Sequence, residues 1–126
     1  MRNKFLGTGS SGFHPWRKLR TVLSGLRFAI VADWSVAWKV LVSVGFLVVS
    51  FWLRQWVDFV LLLVATGQML MAEIFNTTVE ALCDFVQPNY DEKIKAIKDI
   101  AAAAAGISIT VWCLAVVYES FHLLVP

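Results

Sequence analysis

Charged residues, histidines and cysteines are all scarce in this 126-residue sequence. Charged residues make up 16% of the chain and hydrophobic residues 59%, which is too apolar for an ordinary soluble domain of this size. Cys83 and Cys113 lack the spacing of a metal site and are expected to be packed, reduced thiols. His14 and His122 stand isolated in the sequence, which argues against a metal role for either. The scarcity of charge therefore predicts an integral membrane protein.

The N-terminal part of the chain divides into two segments. Residues 1–14 are predicted to be flexible, because Gly7, Gly9 and Gly12 favour turns and little apolar surface is present to order them. From Pro15, apolar residues recur at helical spacing and alternate with Lys and Arg. A basic amphipathic helix over about residues 15–32, with Trp16 on its apolar side, is expected to lie in the membrane interface. The alternative is packing on another protein domain, and so short a chain has little else to pack on.

Three apolar stretches follow, long enough to predict transmembrane helices over about residues 36–54, 57–86 and 96–124. Polar residues around position 54–58 predict a tight turn, which forces the first two spans to run antiparallel. Asp91 is expected to cap the helix that leads into the third span. Glu119, near the far end of that span, is expected at the aqueous edge. Residues 15–126 are thus predicted to form one all-α membrane domain.

Polar side chains on the second span form the most informative pattern: Glu73, Asn76, Thr77, Glu80 and Asp84. Steps of three and four residues keep these groups on one face of a helix. Glu73 falls about 24 Å from the start of the span, near the edge of the hydrocarbon, and the later acids lie further out. Because carboxylates at a bilayer are costly unless they serve a site, this face is a functional hypothesis. A structural polar contact within a helix bundle is the alternative interpretation.

The distribution of basic residues predicts the topology. The net charge of only +2 gives no reason to expect nucleic acid as a partner. Lys and Arg are concentrated before the first span and in the loop before the third. Positive-inside bias then places the N-terminus and the 87–98 loop in the cytoplasm, on the same side as the acidic residues of the second span.

The chemistry of these groups favours phosphoryl transfer, provided that they converge. Asp33 and Glu80, with Asp84 as a third candidate, would be hard oxygen ligands for Mg²⁺, which often takes one or two carboxylates together with phosphate oxygens. Lys98 would add a positive charge for phosphate. Glu73, at the height of a lipid headgroup, is a candidate base toward a lipid hydroxyl. Catalysis of this kind rests mostly on positioning and charge neutralisation.

In these motifs, the sequence resembles the small bacterial diacylglycerol kinase and undecaprenol kinase family. The resemblance rests on E-x-x-N-T-x-x-E-x-x-x-D at residues 73–84 and K-D-x-A-A-A-A at residues 98–104. G-L-R at residues 25–27 and V-x-P-x-Y at residues 86–90 are also similar to that family. Roughly residues 16–125 are covered.

The resemblance implies an ATP-dependent kinase of a membrane lipid alcohol, diacylglycerol or undecaprenol, with Mg²⁺ as cofactor. It implies a homotrimer of three-span subunits, each with an N-terminal surface helix, and sites between subunits. The implied location is the bacterial inner membrane, with the N-terminus in the cytoplasm.

The resemblance also implies roles for individual residues. Glu73 corresponds to the catalytic base and Asn76 to an orienting residue beside it. Glu80 corresponds to a metal-coordinating glutamate, and Asp33 stands where the family has its second metal ligand.

The nucleotide-side roles fall on three further residues. Lys98 corresponds to the lysine that contacts phosphate, and Asp99 to the aspartate beside it. Asp84 corresponds to an acid near the nucleotide.

Departures from the family pattern cluster at the start of the first span. Asp33 replaces the usual Glu, and Ala37 and Trp38 replace an aromatic–Arg pair, with Lys39 next. These changes motivate a second hypothesis, a catalytically degenerate accessory subunit of a larger membrane complex. A third, a small transporter or channel, is disfavoured because the middle of each span lacks charged groups. The ligands themselves remain, which favours an active enzyme.

Overall fold

A computed structural model of the chain describes residue 12 and residues 14–125. These residues form four helices and no strand: α1 (Pro15–Ala32), α2 (Trp34–Trp52), α3 (Trp56–Val86) and α4 (Glu92–Leu124). The all-α fold class predicted from the sequence is confirmed. The predicted flexible segment over residues 1–14 lies almost entirely outside the described residues.

Three of the described helices, α2, α3 and α4, are long and apolar enough to cross a membrane. Their large apolar side chains are widely exposed, as Leu41, Val64 and Leu114 illustrate. An apolar outer surface of this extent suits contact with lipid tails rather than water. The helix α1 is shorter and has no buried residue, which is compatible with the predicted amphipathic surface helix.

The chain divides into two compact units, Met1–Trp34 and Ser35–Pro126. Within the first unit, Pro15 occupies the first turn of α1, where the missing N–H would have had no partner in the helix. The helix ends at Ala32, and the next residue, Asp33, has an extended backbone.

The second unit is built on the close antiparallel packing of α3 and α4. Small residues on both helices, Ala65 on α3 and Ala105 and Ser108 on α4, are buried, and small residues favour close approach of helices. The buried apolar side chains of this unit come from all three of its helices: Val36, Leu62, Ala65, Met69, Cys83, Ala105 and Trp112.

The helix α2 joins this pair through polar bonds as well as apolar contact. Trp112 of α4 donates its indole N–H to the hydroxyl of Ser43, which is fully buried, over 2.8 Å. Trp38 packs edge-on against the same indole, with ring centroids 5.7 Å apart. Directional hydrogen bonds of this kind define how a helix is rotated, which apolar packing alone specifies less strictly.

The connections between these helices are short and defined by local hydrogen bonds. Asp91 caps α4 by accepting from the backbone N–H groups of Lys93 and Ile94, at 2.8 and 3.1 Å. Between α2 and α3, Arg54 takes a left-handed backbone conformation, with φ of 57°. Asp58, at the junction of the predicted turn and the second span, lies in the first turn of α3 and is buried.

Candidate active site

The polar face of α3 descends from the outside of the unit into its interior. Asp84 and Glu80 are exposed, Asn76 is half-buried, and Glu73 is only 6% exposed. We call these four residues the acidic face. The helical spacing predicted from the sequence therefore produces one continuous polar surface whose chemistry changes with depth.

At the buried end of the acidic face, Glu73 forms an ion pair with Lys39 of α2. The side chains are 4% exposed for Lys39 and 8% exposed for Glu73, so both charges are withdrawn from water. Two buried charges are tolerated only when they compensate each other. The pair therefore ties α2 to the middle of α3 and balances the carboxylate that the sequence identified as a candidate base.

In the middle of the face, Asn76 and Glu80 interact directly. The Asn76 amide donates from Nδ2 to Glu80 Oε1 over 2.9 Å, which orients the carboxylate. Asn76 Oδ1 is buried and has no hydrogen-bond partner among the described residues. An unpartnered oxygen beside an exposed carboxylate provides the hard ligands that Mg²⁺ prefers, so these residues fit such an ion.

At the outer end of the face, Asp84 forms an ion pair with Lys98 of α4. Both residues border a cavity of about 340 Å³ at the turn between α3 and α4. Its other polar residues include Asn89, Asp91 and Lys95. A cavity of this size, which has two lysines on its wall, is large enough to receive part of a small anionic ligand.

A family model supplies the decisive comparison. The model for prokaryotic diacylglycerol kinase matches residues 20–119, which is most of the chain and includes the whole acidic face. The chain belongs to the prokaryotic diacylglycerol kinase family. Comparison with curated proteins and with solved structures gave no match. Membership implies lipid kinase activity, in agreement with the membrane-spanning character of the helices.

Asp99 and Asp33 are the two remaining predicted site residues of this family member. Asp99 pairs with Lys95, one turn earlier on α4, over 2.5 Å. Asp33 is the residue that follows α1 and belongs to the first unit. Its pairing with Glu80 as a metal ligand stays a prediction.

Sequence reasoning missed Lys39 as a site residue. In the sequence, Lys39 stands out only as the residue next to the departures from the family pattern. A lone charge within a transmembrane segment is itself a signal, because such a group normally has a buried partner. The partner was already identified on α3, but the sequence alone did not indicate that Lys39 and Glu73 face each other.

Proposed function

We propose that this protein transfers the γ-phosphoryl group of ATP to the hydroxyl of a membrane lipid alcohol, diacylglycerol or undecaprenol. One observation carries the proposal: the acidic face runs from the buried Glu73 to the exposed Asp84, beside Lys98 and the cavity at the α3–α4 turn. A polar nucleotide can approach from the exposed end, and a lipid hydroxyl can meet the face from the apolar side.

In the proposed reaction, the lipid hydroxyl oxygen attacks the γ-phosphorus of ATP. The bond between that phosphorus and the β,γ-bridging oxygen breaks, and ADP leaves with the bonding electrons. Glu73 accepts the hydroxyl proton, so atoms and charge balance. General-base assistance of this kind contributes about 10²–10⁴-fold to a rate.

The nucleotide phosphate and Mg²⁺ would be bound at the exposed end of the acidic face. Lys98 is proposed to exchange Asp84 for a phosphate oxygen, which is feasible because this ion pair is exposed and weak. Glu80 and Asn76 would hold Mg²⁺, with Asp33 as the second predicted acid. When bound, Mg²⁺ neutralises phosphate charge. The hydrogen bond between Asn76 and Glu80 orients the carboxylate before any ligand arrives.

Lys39 gives the proposed base a defined environment. Its ammonium group compensates the Glu73 carboxylate at a depth where an isolated charge would be costly. The ion pair thereby holds the proposed base in place on α3.

The proposed location is the bacterial inner membrane, with the N-terminus and the α3–α4 turn in the cytoplasm. The concentration of Lys and Arg at these two places supports this orientation, because positive segments stay on the cytoplasmic side. ATP would then be available on the side where Lys98 lies. We also propose that the protein forms a homotrimer, as the family resemblance implies.

The test uses purified full-length protein in detergent micelles that contain diacylglycerol or undecaprenol. With ATP and Mg²⁺, labelled γ-phosphate should appear in the lipid and ADP in solution in equal amounts. Glu80→Gln should remove this activity, whereas Glu92→Gln, an exposed acid in the first turn of α4, should not. Failure of both lipids to accept phosphate would contradict the proposed function.

A second candidate function, a catalytically degenerate accessory subunit, is favoured by one observation. Glu73 is already neutralised by Lys39, so its carboxylate is engaged before any substrate binds. This alternative predicts no lipid phosphorylation by the isolated protein and its recovery from membranes together with larger partner proteins. Stoichiometric phosphate transfer by the isolated protein would exclude it.

A further inference from the structure

A second cluster of polar residues lies in the second unit, which contains α2, α3 and α4, at the opposite end from Lys98. It consists of Asp58 in the first turn of α3 and of Glu119 and His122 near the end of α4. One carboxylate oxygen from each acid and one imidazole nitrogen lie within 4.8 Å of one another. Asp58 precedes Glu73 by about 22 Å of helix, so the cluster is separate from the acidic face.

Glu119, which is expected near the aqueous edge, is buried within the protein and only 1% exposed. Its Oε1 accepts a hydrogen bond from the hydroxyl of Ser50, a fully buried residue of α2, over 2.6 Å. Its Oε2 is buried and has no hydrogen-bond partner among the described residues. A buried carboxylate oxygen without a partner is costly, which indicates that a ligand belongs next to it.

The charges of the cluster are also incompletely balanced. Asp58 Oδ2 lies 2.7 Å from Nδ1 of His122, which is therefore not isolated as the sequence suggested. Even a protonated imidazole carries one positive charge, whereas Asp58 and Glu119 together carry two negative charges when ionised. A divalent cation would balance both carboxylates at once.

We propose that Asp58, Glu119 and His122 bind a divalent transition-metal cation, for which Zn²⁺ is the appropriate probe. One imidazole nitrogen with carboxylate oxygens suits Zn²⁺, whereas Mg²⁺ and Ca²⁺ prefer oxygen ligands throughout. Ligand atoms around tetrahedral Zn²⁺ lie about 3.4 Å apart. The ligand atoms, which lie within 4.8 Å of one another, would move closer on binding, and water would complete the fourth position.

A cation can reach the cluster from outside, and a neighbouring side chain orients one of its proposed ligands. The side chain of His122 is 47% exposed and provides an entry path, while that of Asp58 is 8% exposed. Ser50 orients Glu119 from behind, as groups around metal ligands commonly do. The bound cation would link the start of α3 to the end of α4, and Ser50 would connect α2 to the same point.

The experiment uses tag-free, full-length protein in detergent, stripped of metal with a chelator and dialysed into excess Mg²⁺. Isothermal titration calorimetry should show one Zn²⁺ bound per chain, and Zn²⁺ should raise the thermal unfolding temperature. Substitution with Co²⁺ should give the visible absorption of a low-coordinate site. Absence of Zn²⁺ binding in the unmodified protein would overturn the proposal.

Variants establish where the cation binds. His122→Ala and Glu119→Gln should each weaken Zn²⁺ binding by more than about 100-fold, and Ser50→Ala by about 10-fold, as expected for an outer partner. The controls Glu80→Gln and His14→Ala should bind Zn²⁺ as the unmodified protein does. If Glu119→Gln does not fold, the exposed His122→Ala variant decides, and unchanged Zn²⁺ affinity in that variant would overturn the assignment.

Discussion

The polar contacts at the two ends of the second unit, which contains α2, α3 and α4, differ in how far they are exposed. At one end, Asp84 and Lys98 form an ion pair whose side chains are 65% and 32% exposed. At the other end, Ser50 and Glu119 are bonded to each other with almost no exposure. Exposed pairs exchange partners at little cost, whereas buried pairs do not. The first end is thus suited to binding and releasing a nucleotide, and the second to fixing the positions of helices.

Between these ends, the pair of Lys39 and Glu73 has properties of both. The pair is buried like the contact between Ser50 and Glu119, and its carboxylate, Glu73, belongs to the acidic face. Its position suggests that one polar contact serves helix packing and supplies the proposed catalytic base. Substitutions along the unit separate these two contributions.

The largest effect on stability is expected for Lys39→Met. The substitution leaves the buried Glu73 carboxylate without its partner, which should lower the free energy of unfolding by about 3–5 kcal/mol. Denaturant unfolding in detergent measures the loss. The double variant Lys39→Met/Glu73→Leu should recover most of the stability, because apolar residues can replace a buried pair. A double variant as unstable as the single one would show that the pair does not stabilise the fold by compensating charge.

The largest effect confined to activity is expected for Lys98→Met. Loss of the positive group that is proposed to contact the transferred phosphate should reduce lipid phosphorylation by about 10²–10³-fold. Thermal unfolding should hardly change, because the pair with Asp84 is exposed. Lys93→Met, an exposed lysine on the first turn of α4, is the matched control and should retain activity. Equal losses in the two variants would argue against a specific phosphate contact.

The opposite pattern is expected for Ser50→Ala. Removing the hydroxyl leaves Glu119 Oε1 buried and unpaired, which should destabilise the fold by about 1–3 kcal/mol. Lipid phosphorylation below the unfolding temperature should be retained, since Ser50 is far from the acidic face. Ser120→Ala removes only a hydroxyl bonded to the Val116 carbonyl of its own helix, so unfolding should change little. A larger loss in Ser120→Ala than in Ser50→Ala would contradict the importance assigned to the contact between helices.

The smallest effect, and a stabilising one, is expected for Arg54→Gly in the α2–α3 turn. Arg54 has a φ of 57°, a conformation that costs a residue with a Cβ about 1–2 kcal/mol. Glycine avoids this cost but loses about 0.5–1 kcal/mol of chain entropy on folding. A net gain of about 0.5–1 kcal/mol should appear in denaturant unfolding, and Arg54→Ala should show none. A gain in both variants would point to the guanidinium group instead of the backbone.

The sequence predicted the helices well where hydrophobicity and length decide the structure. The apolar runs correspond to α2, α3 and α4 because only a helix satisfies its own backbone within a bilayer. The helix α4 begins at Glu92, ahead of the apolar run, because Asp91 caps it there. The spacing of the acidic face was also readable, since all its residues lie on one helix.

Contacts between helices were not readable from the sequence. Glu73 and Lys39 are 34 positions apart, and Ser50 and Glu119 are 69 positions apart. Asp58 and its partner, His122, are 64 positions apart, so the sequence does not reveal that they pair. The pairing of such residues depends on how each helix is rotated about its axis. That rotation is set by packing in three dimensions and leaves no local pattern in one sequence.

The most direct test of the central claim is to measure the transfer of labelled phosphate from ATP to lipid. Three proteins are compared: the unmodified protein, Glu73→Gln/Lys39→Met and Lys39→Met/Glu73→Leu. The unmodified protein should phosphorylate diacylglycerol or undecaprenol with one ADP released per lipid product. Both double variants should stay folded, because neither leaves a buried ion, and both should be inactive, because neither has a base at position 73. Lipid phosphorylation by either folded double variant at the rate of the unmodified protein would contradict the role proposed for Glu73.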